Sequence, residues 1–149
     1  MAGFLNWFNR SREQKNKEDH KDDTFKAGQA WHYHTRPGEE HSVVTVLKVE
    51  KYESEGIVVH VQVKGLKVKN PMNPAGFSDE IGHLPFAKEA VGKSVTTLIS
   101  EGNTLPDFMG GYSSWKEAFD AKKGGIFTIS VGEAVKYLEE AMSNAQRVE

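Results

Sequence analysis

Residues 57–64 read Ile-Val-Val-His-Val-Gln-Val-Lys. Side chains alternate across a strand, so Ile57, Val59, Val61 and Val63 share one face, and Val58, His60, Gln62 and Lys64 share the other. β-branched residues at every second position suit a pleated surface and lose rotamer freedom in a helix. A chain with this segment is committed to a sheet with at least one buried face. Gly65 interrupts the period, as a bulge or bend would, and Leu66 and Val68 resume it.

Two earlier segments read the same way. In Ala30 to Thr35, Trp31, Tyr33 and Thr35 alternate with His32 and His34, and Ser42 to Tyr52 is rich in Val. Arg36-Pro37-Gly38-Glu39-Glu40 and Glu53-Ser54-Glu55-Gly56 supply the turns between them. Asn70 to Gly82 reads as a long loop. After Pro85 the period lengthens: Phe86, Ala90, Val91, Val95, Leu98 and Ile99 recur at three- and four-residue intervals, the face of a helix that starts at Pro85 and stops before Gly102. Ser114-x-x-Glu117 and Ser130-x-x-Glu133 match the capping box of a helix start. Trp115, Ala118 and Phe119 mark a short helix, Ile126 to Val131 a last strand, and Ala134, Val135, Leu138, Ala141, Met142 and Ala145 a final helix. The order β-β-β(β)-α-α-β-α predicts an α+β fold, a mostly antiparallel sheet with helices packed on one face. Val59, Val61, Trp115, Phe119, Phe127, Ile129 and Leu138 are the expected core.

The 149 residues suit one domain. Its expected limits are 25–149, preceded by a segment, 1–24, in which Asn9 to Asp23 carries five charges of each sign and almost nothing apolar. Phe4, Leu5, Trp7 and Phe8 form a short apolar tip, and helical spacing groups Phe4, Leu5 and Phe8 into a patch that suits packing on the domain, docking on a partner or peripheral contact with a membrane. No apolar run approaches the roughly 20 residues that span a bilayer. Cysteine is absent, which removes disulfides, thiolate nucleophiles and Cys-bound zinc, and favours a cytoplasmic setting. A net charge of −2 lacks the basic excess of a nucleic-acid binder.

Chemistry, if present, rests on histidine. His32 and His34 leave one face of their strand, and His60 lies on the polar face of its own. If those faces coincide, three imidazoles converge as they do in zinc and iron sites. The alternative is a solvated sheet face. Trp31, Tyr33, Tyr112 and Trp115 are candidates for a partner-binding surface, since Trp and Tyr are enriched where proteins meet. No phosphate loop, nucleophile elbow or HExxH pattern is present.

His32-x-His34 followed by Glu39 resembles the first metal-binding motif of cupins. The second motif is not matched, because Pro74-Ala75-Gly76 stands too far before His83, and the helical second half leaves too few strands for a double-sheet jelly roll. The span from about Phe25 to Met142 resembles an uncharacterised kind of small bacterial cytosolic protein. The resemblance rests on Gly28 with Trp31, Tyr33 and Arg36; Val59-His60-Val61; Gly82-His83-Leu84-Pro85-Phe86; Tyr112 with Trp115; and Gly125-Ile126-Phe127. It implies a cytosolic α+β domain and names no activity. The expectation is a non-enzymatic, cofactor-free module that binds a protein partner, such as an immunity-type inhibitor. The alternative is a metal-dependent or small-molecule-binding protein that uses the face of His32, His34 and His60.

Overall fold

A computed structural model describes residues 18–19, 22 and 24–147. Among these residues six strands are seen: β1 (Glu18–Asp19), β2 (Ala30–Tyr33), β3 (Val43–Tyr52), β4 (Gly56–Lys69), β5 (Phe77–Ala87) and β6 (Val95–Ser100). The helices among the described residues are α1 (Lys88–Ser94), α2 (Met109–Asp120) and α3 (Val131–Arg147). The sheet is antiparallel in the order β5-β4-β3-β2-β6, and the two residues of β1 pair with the end of β3. The fold is α+β, as the change of period implied.

β4 is the spine. Its apolar face, with Val59, Val61 and Val63, joins Val44, Val46 and Val49 of β3 and Leu84 and Phe86 of β5 beneath Val131, Ala134 and Val135 of α3. Cross-strand pairs Val44–Val63, Val46–Val61 and Val49–Val59 set the register. Gly65 has φ 82°, and a Cβ there would lie 3.0 Å from the Cα of Ser42. The expected bend is therefore real, and it coincides with a shift in the β4–β5 pairing between Lys64 and Val68.

Several expectations are corrected. The helices cover both faces of the sheet, not one: α3 lies over the valine face, and α2 brings Tyr112 and Trp115 onto the ring of His60 on the opposite face. The helix expected over 86–99 is only seven residues long, and Val95 to Ser100 leave it to form the edge strand β6. The expected long loop shrinks, because β5 begins at Phe77 and pairs with β4. β5 is an edge strand, which accommodates Pro85, and Pro85 O accepts the N–H of Phe127. Ile126 to Val131 forms only an isolated bridge, Phe86 to Phe127. α2 begins at Met109, so Ser114 lies inside it and caps nothing, whereas Ser130 does cap α3, accepting the N–H of Glu133 at 3.1 Å. Of the expected core, Val59 and Val61 are fully buried, Phe127 and Leu138 pack at its margin, Trp115 and Phe119 belong to the other face, and Ile129 is exposed.

Within segment 1–24, Glu18 and Asp19 pair with Lys51 and Glu50, and Asp22 is buried. Its carboxylate accepts the N–H groups of Thr24 and Phe25 and binds Lys88 Nζ at 2.6 Å. The apolar tip, Phe4, Leu5, Trp7 and Phe8, lies outside the described residues.

Candidate functional site

The face of β4 opposite the valines is buried too. Val58, His60 and Gln62 are each less than a tenth exposed. A polar row can be covered only if its hydrogen bonds are met within the protein. The register of β3 supplies what His60 needs. An extra residue, Leu47, shifts the pairing, so that Lys48 stands opposite His60 and Glu50 opposite Val58, on His60's side of the sheet. Glu50 is fully buried, and its Oε1 lies 2.8 Å from His60 Nε2.

α2 closes over this pair. Phe108, Tyr112, Trp115 and Phe119 recur at helical spacing from the residue before α2 onward. Phe119 and Trp115 pack on Tyr52, with ring centroids 5.0 and 6.2 Å away. The hydroxyl of Tyr112 donates to Glu50 Oε2 at 2.7 Å, and that of Tyr52 donates to Oε1 at 3.1 Å. Burial raises the Glu50 carboxyl. The bonds from His60 and Tyr112, the charge of His60 and the bond from Tyr52 outweigh it, so Glu50 stays below the usual carboxylate range. Both tyrosine hydroxyls are pushed above their ordinary value, first by burial and then by their proximity to that carboxylate.

The chain of bonds continues toward the surface. His60 Nδ1 lies 2.9 Å from His83 Nε2 on β5. The two ring planes are within 20° and their centroids 5.0 Å apart, so the imidazoles meet nearly edge to edge, as an in-plane N–H···N bond requires. His83 forms part of the wall of a cleft of about 450 Å³, with Ile81, Gly82, Pro85, Asp107, Phe108, Gly111 and Trp115. Gly111 is what lets α2 approach, since a Cβ there would sit 3.1 Å from the Cβ of His83. Burial and the neighbouring charge of His60 depress His83 to about 4, so its ring is neutral at pH 7.

Of the residues singled out in the sequence, His60 alone among the three histidines enters this site. His32 and His34 are exposed, and β3 separates β2 from β4, so the three do not meet. Both nitrogens of His60 are committed, to Glu50 and to His83. Among the described residues no group of three or more His, Asp or Glu is arranged to hold a metal ion. Glu39, the cupin-like carboxylate, is buried against Arg36, which donates to both its oxygens at 2.7 Å, while the N–H of Lys67 binds Oε2.

The four aromatic candidates divide between the two faces of the sheet. Tyr33 is buried and Trp31 half-buried on the valine side, and Trp31 Nε1 donates to Gln29. Tyr112 is buried against Glu50, and Trp115 borders the cleft. Sequence reasoning missed Glu50, and it read His83, near an expected helix start, as a helix cap or anion contact or as a residue packed in the long loop. A carboxylate inside the apolar run Val43 to Tyr52, with the aromatic stripe of residues 108–119, was the available signal. Comparison with known protein families, with curated proteins and with solved structures finds no match.

Proposed function

We propose that this protein binds a small molecule in the cleft between β5 and α2, with His83 as the polar group that orients it. The supporting observation is the second ring nitrogen of His83. Nε2 is held by His60, and Nδ1 has no hydrogen-bond partner among the described residues. A half-buried, neutral imidazole in a cleft wall, its ring fixed from behind, is the kind of sparse polar contact that confers specificity in an apolar pocket. The volume, about 450 Å³, lies within the range of ligand sites.

The lining indicates the ligand class. Trp115 and Phe108 offer aromatic surface, Ile81 and Pro85 aliphatic surface, and Asp107 the one charge among the described lining residues. Among the described residues the lining contains no Lys or Arg to attract an anion. A planar molecule, neutral or cationic, with a hydrogen-bond donor fits this surface. The protein-partner reading draws less support, because Tyr33 and Tyr112 are buried and the four aromatics do not share a surface. Calorimetric titration with indole, benzamidine and benzoate tests the proposal. Indole and benzamidine should bind saturably, benzoate at least tenfold more weakly, and His83→Ala should weaken the first two at least tenfold. Failure of all three to bind, or equal affinity for benzoate, would refute it.

A further inference from the structure

The bonded chain behind the cleft does more than hold one ring in place. Glu50 is an acceptor, so His60 Nε2 carries its proton toward it. The direction of the His60–His83 bond then follows the number of protons in the chain. With His60 neutral, His83 donates Nε2–H to His60 Nδ1, and His83 Nδ1 presents a lone pair. With His60 an imidazolium, His60 donates Nδ1–H to His83 Nε2, and His83 carries its proton on Nδ1 instead. The two states differ by one proton.

We propose that Glu50, His60 and His83 form a proton relay, in which His83 Nδ1 takes a proton from a molecule in the cleft while the charge settles on His60 beside the Glu50 carboxylate. The step balances. An O–H or N–H of the bound molecule breaks, and its proton forms a bond to His83 Nδ1. The Nε2 proton of His83 passes to His60 Nδ1, and the Glu50 carboxylate keeps its charge. The bound molecule retains the electron pair, and His83 ends neutral in its other tautomer. Reversal returns the proton, so the relay serves as base and then as acid.

Three features of the site fit this role. The rings are nearly coplanar with nitrogens 2.9 Å apart, so proton transfer requires no rotation. Three donors hold the carboxylate where charge must be stabilised, 2.8 Å from His60. Among the described residues, the titratable groups facing His60 are Glu50, Lys48 and Tyr52 from β3, His83 from β5 and Tyr112 from α2; Glu50 is the one carboxylate of that set, and Lys48 Nζ lies over the Tyr112 ring. Depression of His83 means that the chain does not hold a second proton above about pH 4. In this scheme His83 would be the catalytic residue, and Glu50 and His60 positioning residues.

The inference rests on the cleft being a ligand site, yet the relay can be tested in the free protein. In 15N-histidine spectra recorded across pH, His83 should switch from the Nε2–H to the Nδ1–H tautomer at the same midpoint at which His60 becomes an imidazolium. Glu50→Gln should lower the shared midpoint by at least one pH unit. Adding 7-hydroxycoumarin, whose spectrum separates neutral from ionised forms, should raise its phenolate fraction in the wild type. The rise should vanish in His60→Gln while the probe still binds. His83 keeping one tautomer throughout, or charging before His60, would overturn the relay without touching the binding proposal. Absence of probe binding alongside a tautomer switch would overturn the binding proposal and leave the relay.

Discussion

Glu50 shows what one residue can impose on a fold. A buried carboxylate is tolerated only when its lone pairs are filled, and here His60, Tyr52 and Tyr112 fill them. Removing Tyr112's hydroxyl leaves an oxygen of a buried charge short of a donor. Tyr112→Phe should therefore cost about 1.5–3 kcal/mol in urea unfolding; a loss below about 0.5 kcal/mol would mean that water replaces the hydroxyl. Asp22 is another such residue. Burial raises its carboxyl, but bonds from Lys88, Phe25 and Thr24 lower it to about 2 from an ordinary 3.8. A depressed carboxyl stabilises the fold above its unfolded value and loses that contribution as pH falls from about 4 to 2. The contribution is about 2 kcal/mol at neutral pH. Asp22→Asn should remove it, flattening the acid limb of a stability–pH curve measured between pH 2 and 6. An unchanged acid limb would place that stability elsewhere.

At the scale of elements, the period-2 pattern identified β3 and β4 because their valines repeat without interruption. β5 was hidden because Gly82, Pro85 and the pair Asp79-Glu80 resemble a loop, and only its pairing with β4 makes it a strand. β6 was hidden because Val95, Leu98 and Ile99 continue the helical spacing of Phe86, Ala90 and Val91; pairing with β2 overrides it. The polar row of His60 and Gln62 looked solvated because local pattern does not reveal that a helix 50 residues later lies across it. Two substitutions test how the helices are set. Ser130→Ala should cost about 1 kcal/mol by removing the cap of α3. Gly111→Ala sets two effects against each other: Ala favours a helix by about 1 kcal/mol, while its Cβ presses on His83 at 3.1 Å. Unfolding should change by less than about 1 kcal/mol, whereas the His83 NMR signals and indole affinity should both change. Unaltered His83 signals would show that α2 shifts freely.

For the whole molecule, the sheet separates two jobs. The valine face, covered by α3, supplies a dry core, and the opposite face, covered by α2, encloses a polar chain that reaches the cleft. The sequence made the first job legible and left the second obscure, because His60, Glu50 and His83 are distant in the chain and converge only through the register of three strands. The most direct measurement of the central claim is an amide and indole N–H chemical-shift map recorded while indole is added to the whole protein. Saturable shifts are expected at Gly82, His83, Gly111 and the Trp115 ring, with none at Trp31 or His32. Shifts centred on Trp31 and His32, or none that saturate, would contradict it.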